Sequence, residues 1–382
     1  MNKIETLIQE LCPNGVEKKE LSQISRLTRG KVMSKQFLEE NSGDFPVYSS
    51  QTRNRGEIGK ISTYDFDGEY ITWTTDGANA GTVFYRNGKF SITNVCGLID
   101  ITDNNLSIKY LYYILSISTK KYVSSGMGNP KLMSNVVGKI KIPVPPFEVQ
   151  EEIVKILDKL TDYVTELTTE LTLRQKQYNY YRDKLLSFEG EKVQHVKLST
   201  VCQVYDGTHQ TPRYRSEGVP FVSVENIKNL YKTSKYISIE DFEKYKIKPR
   251  INDILMTRIG DVGTCNVVDR DEDLAYYVSL ALIRPNIECI NPYFLRYFIE
   301  SRHGRRELNR RILHTAVPIK INMGDIGKIM ISLPSMEIQT QIVKILDNFN
   351  HLTSNISNGL PKEIELRQKQ YEYYRDKLLT FD

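Results

Sequence analysis

Arginine is concentrated in one short stretch in the second half of the chain. Residues four apart lie on the same face of an α-helix, so Arg302, Arg306 and Arg310 form one stripe if this stretch is helical. A stripe of guanidinium groups can follow a DNA phosphate backbone, and a helix face that is merely exposed to water is the alternative. The stretch of ten residues contains one acidic residue, Glu307, and five arginines: Arg302, Arg305, Arg306, Arg310 and Arg311.

Other polar side chains have the chemistry that reading base edges requires. Arginine pairs with guanine through two hydrogen bonds, and asparagine or glutamine pairs with adenine in the same way. Such side chains occur on predicted loops, each of which could also be an ordinary exposed loop. The candidate DNA-binding residues outside the arginine cluster are Gln51, Arg53, Asn54, Arg55, Lys120, Lys121, His209, Gln210, Arg213, Asn226 and Arg258.

We find no pattern of a reaction centre within the chain. Val144-Pro145-Pro146-Phe147 is similar to the NPPF tetrapeptide of amino-methyltransferases but lacks its asparagine, and no FxGxG cofactor loop precedes it. The five histidines do not have the spacing of metal ligands, and we see no carboxylate cluster typical of a nuclease. We therefore expect no metal, no cofactor and no catalytic residue, and we expect catalysis to depend on other subunits.

Composition places the chain among folded proteins of two or three domains. Its 382 residues are 40% hydrophobic and 26% charged, which is typical of globular proteins. No stretch has the roughly 20 apolar residues of a membrane span, and the first residues do not have the pattern of a signal peptide. Five scattered cysteines without a CxxC pair argue against a disulfide framework. These features favour a cytoplasmic protein without a membrane partner.

The chain contains an internal duplication. Residues 136–158 match residues 325–347 at 13 of 23 positions, and Leu173–Phe188 matches Leu366–Phe381 at 14 of 16. Between these constant segments lie two variable regions that show weaker similarity in the same order; Phe45–Ser49, for example, corresponds to Val219–Ser223. We call residues 1–144 head 1 and residues 189–333 head 2. Each head has four more basic than acidic residues, as a contact with a polyanion at two points would require.

The constant segments have the heptad pattern of long helices that pair with other helices. The first predicts a rod of about 40 residues and ~60 Å. In the second, four additional residues at Asn358–Pro361 should break or kink the helix. Two long helices that each pack on their own domain are the alternative. The predicted seam comprises Ile153, Leu157, Leu160, Leu167, Leu171, Tyr178, Tyr181, Leu185, Ile342, Leu346, Phe349, Tyr371, Tyr374 and Leu378.

The predicted architecture is therefore mixed α/β globular heads in tandem, separated by a long antiparallel two-helix coiled coil with approximate two-fold internal symmetry. The heads contain short predicted strands bounded by Gly, Asn and Asp, and helices over Ile108–Ser116 and Pro292–Arg311. If the second helix packs against the first, it must run back and end near head 1. The predicted boundaries are 1–144, 145–188, 189–333 and 334–382.

The duplicated LRQKQY-YYRDKLL-F segments, the proline-containing turn at Pro143–Gln150 and the run Asp206–Phe221 closely resemble the specificity subunit of type I restriction–modification systems. This resemblance covers both heads and both helices. It implies that the heads are target recognition domains, each reading one half of a split, asymmetric target in double-stranded DNA. The second copy departs from the first at Ser335-Met336, which replace Pro146-Phe147.

The same resemblance implies partners. In this family the helices dock two DNA-adenine methyltransferase subunits, and ATP-dependent restriction subunits join the complex. The seam residues named above then become candidates for subunit docking. Two other functions stay open: a self-contained DNA methyltransferase or nuclease with its own recognition domains, and a purely structural coiled-coil adaptor.

A domain exchange tests the modular arrangement of the two heads. Replacing residues 1–144 by the first head of another such subunit should change one half of the methylated DNA sequence and leave the other half unchanged. Mapping methylated adenines in cells that carry the chimera with its partner subunits gives the result. A change in both halves would show that the heads do not read independently.

Overall fold

The computed structural model describes residues 3–124, 128–190, 192–354 and 359–381. The chain divides into two compact units. Unit 1 comprises Met1–Leu167 and Ile364–Asp382, and unit 2 comprises Thr168–Glu363. Each unit therefore contains one head and parts of the constant helices, while the boundaries drawn from the sequence repeats stay predictions. Within the described residues, none of the helices combines the length and hydropathy that a membrane crossing requires.

Seventeen strands occur in the described residues. They are β1 Lys18–Glu20, β2 Ser25–Arg29, β3 Ser42–Tyr48, β4 Glu57–Ile61, β5 Phe66–Thr74, β6 Val83–Ile92, β7 Cys96–Ile101, β8 Lys141–Pro143, β9 Gln194–Lys197, β10 Cys202–Asp206, β11 Val219–Val222, β12 Tyr236–Ile237, β13 Ile254–Ile259, β14 Asp261–Val267, β15 Ala275–Tyr276, β16 Leu280–Pro285 and β17 Met330–Leu333.

The described α-helices range from a single turn to 39 residues. They are α1 Lys3–Leu11, α2 Leu21–Ile24, α3 Lys35–Glu40, α4 Ile108–Ser118, α5 Ser134–Val137, α6 Phe147–Leu185, α7 Leu198–Val201, α8 Ile239–Glu243, α9 Pro292–Glu300, α10 Arg302–Asn309, α11 Met323–Ile326, α12 Met336–Ser354 and α13 Leu360–Leu378. The prediction of mixed α/β heads joined by a long helix is confirmed.

Unit 1 contains a six-stranded sheet of order β2-β7-β5-β6-β3-β4. Its strands pair antiparallel except β3 and β6, which run parallel. One face packs on α4 and buries the single tryptophan of the chain, Trp73, whose indole N–H donates to the carbonyl of Leu132 at 3.0 Å. Phe90, Ile92 and Leu98 form a smaller cluster of their own in the same sheet.

Unit 2 repeats this plan with a sheet divided in two. Strands β10-β16-β13-β14 form an antiparallel sheet, and β12-β11-β15 form a second one in which β11 and β15 run parallel. The repeat in the sequence is matched in register, because Val47 pairs with Ser91 in unit 1 and Phe221 pairs with Ala275 in unit 2. The weak similarity of Phe45–Ser49 to Val219–Ser223 therefore marks equivalent strands.

A buried glutamine connects each constant helix to its head. In unit 1, the side-chain amide of Gln150 donates to the carbonyls of Asn105 and Pro145, both at 2.8 Å, and its oxygen accepts from the N–H of Ser107 at 2.8 Å. Gln339 makes the equivalent bonds in unit 2, to Cys289, Pro334 and Asn291. Both glutamines are fully buried. The turns before α6 and α12 are thus anchored alike despite Ser335-Met336.

A tyrosine and a carboxylate make a second connection in each unit. The hydroxyl of Tyr113, on α4, donates to Asp158 on α6 at 2.7 Å, and that of Tyr297, on α9, donates to Asp347 on α12 at 2.5 Å. Burial and these bonds to carboxylates raise the pKa of both tyrosines well above the ordinary value. Each hydroxyl therefore keeps its proton at neutral pH and remains a donor.

Within each unit, the ends of the constant helices belong to the core of the head. In unit 1, Ile153 and Leu157 near the start of α6 share a buried cluster with Leu378 at the end of α13. In unit 2, Tyr181 near the end of α6 stacks on Phe349 of α12, with ring centroids 5.6 Å apart. The start of α6 is thus packed with the end of α13 in unit 1, and the end of α6 with α12 in unit 2.

The return of the chain to unit 1 is also as expected. The ammonium group of Lys377, on α13, lies 3.6 Å from a carboxylate oxygen of Glu5 on α1. The predicted interruption in the second constant segment is confirmed at Gly359, which lies outside helical conformation, whereas Asn358 lies outside the described residues.

The prediction of one helix over Pro292–Arg311 is wrong. The chain leaves helical conformation at Ser301 (φ −71°, ψ 167°), which ends α9 and begins α10. The Ser301 hydroxyl accepts from the N–H of Gly304 at 3.2 Å, a typical N-cap that competes with continuation of the helix. A Cβ at Gly304 would lie 2.1 Å from the carbonyl oxygen of Phe298, so glycine is required for this tight bend.

The buried glutamine can be tested by substitution. Gln150→Leu leaves one N–H and two carbonyl groups without partners inside the core, so we expect unit 1 to lose about 3 kcal/mol of stability. Because Trp73 is the only tryptophan, its fluorescence during urea unfolding reports on unit 1. Glu151→Leu, an exposed position on the same helix within unit 1, is the control and should change stability by less than about 0.5 kcal/mol. Equal stability of Gln150→Leu and the parent would contradict the anchoring role.

Candidate nucleic-acid interface

Loops that are distant in sequence meet at one end of the sheet in unit 1. The hydroxyl of Ser50 donates to the carbonyl of Asp76 at 2.7 Å. The N–H of Gly77 in turn donates to the carbonyl of Pro130 at 3.0 Å. Three loops are therefore held side by side by hydrogen bonds to the backbone.

A fourth loop joins them through the residues before β7. The N–H of Asn94 donates to the carbonyl of Lys31 at 3.0 Å, and the hydroxyl of Thr93 donates to Ser49 at 2.8 Å. We call these four segments the unit 1 loop edge, which comprises residues 30–34, 49–55, 76–79 and 128–133.

The predicted reading loop of head 1 lies on this edge. Arg53, Asn54 and Arg55 are exposed, and Asn54 (φ 48°) and Arg55 (φ 51°) adopt the left-handed conformation. This conformation is uncommon for non-glycine residues, so the surrounding contacts must impose it. Gln51 donates its side-chain amide to the carbonyl of Glu57 at 2.6 Å and so helps to shape the loop.

A buried arginine, which the sequence analysis did not name as a candidate, connects this loop to the sheet. The guanidinium of Arg86 donates to the carbonyl of Arg55 at 2.7 Å and to the hydroxyl of Thr72 at 3.0 Å, and it lies 3.5 Å from the ring centroid of Tyr48. Burial lowers the pKa of Arg86 to about 10, so it stays charged at neutral pH. Among the described residues it has no carboxylate partner. The signal in the sequence is an arginine that follows the apolar run Val83–Tyr85.

Lys120 and Lys121 lie close to the same edge. They belong to a 3₁₀ turn, Thr119–Tyr122, and both are exposed. The hydroxyl of Thr119 donates to the carbonyl of Gly81 at 2.7 Å, which holds the turn against the hairpin between β5 and β6. The side chain of Asn79, in that hairpin, reaches Thr52 of the reading loop at 3.3 Å. The turn that carries the two lysines and the reading loop of head 1 therefore contact the same hairpin.

Unit 2 has an equivalent edge. The N–H of Val278 donates to the carbonyl of Thr208 at 3.0 Å, and the N–H of Tyr277 donates to that of Val222 at 2.9 Å. Gly260 donates to the carbonyl of Ile319 at 2.8 Å. We call the segments joined in this way the unit 2 loop edge, which comprises residues 207–215, 223–226, 259–263 and 313–320.

Arg258 lies inside head 2 and not on its surface. It is almost completely buried, and its guanidinium forms an ion pair with Asp206 at 3.0 Å and donates to the carbonyls of Val278 at 2.9 Å and Ile321 at 3.3 Å. These partners lie at the bases of different segments of the unit 2 loop edge. The structure therefore gives Arg258 a role in holding loops, which the sequence did not indicate.

Among the remaining candidates of head 2, some side chains are exposed, and others form hydrogen bonds within the protein. Gln210 and Arg213 line a surface groove of about 550 Å³ between the first loop of the edge and the segment around Asp241–Ile247. His209 is exposed and lies 2.9 Å from Asp206. Asn226 donates its amide to the carbonyl of Lys232 at 3.1 Å and accepts from a backbone N–H, which holds its own turn together.

Some arginines of the cluster bind other groups of the protein, and others have exposed side chains without an ion pair among the described residues. Arg310 and Arg311 form ion pairs with Glu307, and Arg305 donates to the carbonyl of Val262. Although burial opposes ionisation of Glu307, the N–H of Met330 and the guanidinium of Arg311 together lower its pKa.

Two members of the cluster are available for other contacts. Arg302 and Arg306 are exposed and have no ion pair within the described residues. Together with Arg305, Arg310 and Asn309 they line a shallow pocket of about 500 Å³. Such a concentration of guanidinium groups can bind phosphate.

The basic elements of the two units occupy matching positions. In unit 1 the 3₁₀ turn contacts Gly81, and in unit 2 helix α10 contacts Gly263. Both glycines have positive φ, and a Cβ at Gly263 would lie 2.3 Å from Leu308 of α10. Each unit thus places basic side chains beside its loop edge, which provides a positively charged surface with exposed hydrogen-bonding side chains. The described residues contain no group of three or more His, Cys, Asp or Glu arranged to hold a metal ion.

Comparison with known proteins identifies the class to which these features belong. The family model described as "Type I restriction modification DNA specificity domain" matches residues 13–174 and again residues 190–366. The chain is thus a tandem DNA-specificity protein. It belongs to the family of type I restriction–modification specificity subunits.

One relative supports this family over nearly the whole chain, and one solved structure shares its fold. A Mycoplasma pneumoniae protein that carries the name of a type I specificity subunit is 33% identical over 367 residues, which cover 94% of this chain and 96% of that protein. The structure of the S subunit of a type I system from M. genitalium superposes with a TM-score of 0.63 at 13% identity, covering 96% of this chain and 97% of that one. This second likeness concerns the fold.

These matches also decide two predictions from the sequence. The resemblance to specificity subunits is confirmed. The expectation that the chain is not itself an enzyme agrees with the family, since both heads match a DNA specificity domain and the relatives are named specificity subunits. The roles of the individual candidate residues stay predictions.

Proposed function

We propose that each head reads one half of a split, asymmetric target in double-stranded DNA and that the constant helices dock two methyltransferase subunits. Restriction subunits would join through that complex. The observation that carries this proposal is the pair of loop edges. They are built on equivalent strands and flanked by equivalent basic elements, but they present different side chains, Arg53–Arg55 in unit 1 and His209–Arg213 in unit 2. Different reading groups on a repeated scaffold suit an asymmetric site.

Contacts to DNA phosphates would supply affinity for DNA that does not depend on its base sequence. Arg302 and Arg306 are suited to this role, because the side chain of each is exposed and forms no ion pair among the described residues, although the backbone N–H of Arg302 donates to Asp183 at 2.9 Å. Lys120 and Lys121 have the corresponding place in unit 1. Loop side chains would then distinguish bases, with the buried Arg86 and Arg258 holding the loops in position.

The docking surface is best sought among the exposed residues of the helices. Several seam residues, such as Ile153, Leu157 and Leu346, are buried within their own unit and cannot reach a partner without unfolding. In contrast, both copies of the duplicated segment expose the same apolar side chains. Leu173 and Tyr180 are 59% and 61% exposed, and their counterparts Leu366 and Tyr373 are 49% and 62% exposed.

Identical exposed side chains in two copies suit two identical partners. Leu173 and Tyr180 are seven residues apart and therefore share a face of α6, as Leu366 and Tyr373 do on α13. Aromatic side chains often dominate binding at protein interfaces, and each of the two faces carries an exposed tyrosine. We therefore propose that each face receives one methyltransferase subunit.

The phosphate role can be tested by substituting the free arginines. Arg302→Ala with Arg306→Ala should weaken binding of the assembled complex to specific and non-specific DNA by a similar factor and reduce the slope of log K against log salt by about 2. Fluorescence anisotropy at several salt concentrations measures both quantities. Glu217→Ala, at an exposed acidic position of the same head, is the control and should not reduce the slope. Unchanged affinity of the double variant would refute the phosphate role.

The docking faces can be tested separately. Tyr180→Ala should remove one methyltransferase subunit from the complex, Tyr373→Ala the other, and the double variant both, as measured by the mass of the assembled complex. Tyr163→Ala is the matched control, because Tyr163 is an exposed tyrosine on α6 that has no tyrosine counterpart in the second copy. Assembly of a complete complex by the double variant would show that the partners bind elsewhere.

A further inference from the structure

Two valines are the most exposed large apolar side chains of the described residues. Val317 is 100% exposed and Val32 is 81% exposed. Isolated exposed apolar residues are common on protein surfaces and by themselves indicate nothing. These two differ in their location, since one lies in each unit and both lie on a loop edge.

Val32 is held beside the reading loop of head 1. Its neighbour Lys31 forms a bridge with Thr93, and the hydroxyl of Thr93 donates to Ser49 at the start of that loop. The preceding residue, Gly30, lies so close to the strand beside it that a Cβ would be 1.9 Å from the carbonyl oxygen of Ile92. The backbone that carries Val32 therefore has a fixed position against the sheet.

Val317 lies at the tip of a loop that is tied down at both ends. The N–H of Leu313 donates to the carbonyl of Lys320 at 2.7 Å, and Gly260 donates to the carbonyl of Ile319 at 2.8 Å. The buried Arg258 bonds to Ile321 just beyond. The loop follows helix α10, so Val317 projects from the same edge that carries the arginine cluster.

Each valine projects from a loop edge that also carries basic and hydrogen-bonding side chains. Lys31 and Ser34 lie near Val32 in sequence, and His314 and Lys320 lie near Val317. Met133 on the unit 1 loop edge and Leu313 on the unit 2 loop edge are less exposed, at 45% and 39%. The major groove of DNA presents a matching feature, because the C5 methyl of thymine is its one apolar group among hydrogen-bonding edges.

We propose that Val32 and Val317 each contact the C5 methyl group of a thymine, Val32 in the half-site read by head 1 and Val317 in the half-site read by head 2. This inference rests on the proposed function and names residues that determine specificity within it. Burial of a methyl group against an isopropyl group removes apolar surface from water on both sides, which favours thymine over cytosine or uracil at that position.

The experiment removes the methyl group from DNA and the isopropyl group from the protein. Once the target has been mapped, each thymine in it is replaced singly by uracil, and binding of the assembled complex is measured. We expect one uracil in each half-site to weaken binding about fourfold, as expected for loss of one buried methyl-sized group. Val32→Ala should remove this sensitivity in one half-site only, and Val317→Ala in the other half-site only.

A control and two contrary outcomes complete the test. Ile287→Ala, an exposed apolar position just after β16 and so at the end opposite the loop edge, should leave every uracil effect unchanged. Sequence-specific binding in which neither valine variant alters any uracil effect would overturn the proposed contacts and leave the proposed function standing. A complex that shows no preference for the mapped target would instead refute the proposed function itself.

Discussion

The position of each head on its constant helix depends on one buried hydrogen-bonding group, the side-chain amide of Gln150 in unit 1 and of Gln339 in unit 2. Each satisfies backbone groups from the segment before the head's helix and from the turn that begins the constant helix. A buried amide loses its hydration, so only the arrangement that supplies all three partners is favourable. The tyrosine–aspartate bonds add a second point of attachment in both units. Each head and the parts of the constant helices attached to it therefore form one compact unit, and the boundary between the two units lies inside α6.

This attachment separates the part of the chain that can vary from the part that cannot. The anchoring glutamine and aspartate lie in the duplicated segments, and the parallel pair β3–β6 of unit 1 recurs as β11–β15 in unit 2. The loops themselves are free to differ, because their contacts to the sheet are largely through backbone groups such as the carbonyls of Lys31 and Thr208. A specificity subunit needs this combination of a constant frame and replaceable reading groups.

Buried arginines show how different loops are supported on similar sheets. Arg86 holds the reading loop of head 1 without a carboxylate among the described residues, whereas Arg258 of head 2 is neutralised by Asp206. At the position equivalent to Asp206, head 1 has Arg29, which donates to the carbonyl of Asn94 at 3.0 Å. The carbonyl of Asn94 in head 1 is equivalent to the carbonyl of Val278 in head 2, which accepts a hydrogen bond from Arg258. The same backbone group is therefore satisfied from different strands in the two heads.

The sequence alone was enough to predict the duplication, the long first helix, the interruption at Gly359, the equivalence of Phe45–Ser49 with Val219–Ser223 and the family. These features depend on local periodicity and on identity between segments of one chain, both of which can be read without coordinates. Only the tertiary structure showed that Arg258 is buried, that Arg305 is engaged by Val262 and that Ser301 divides the predicted helix. It also brought Val32 and Val317 to the loop edges. Burial and contact between segments far apart in the chain follow from how the strands pair, and a charged or apolar residue looks the same in sequence whether it supports a loop or projects from it.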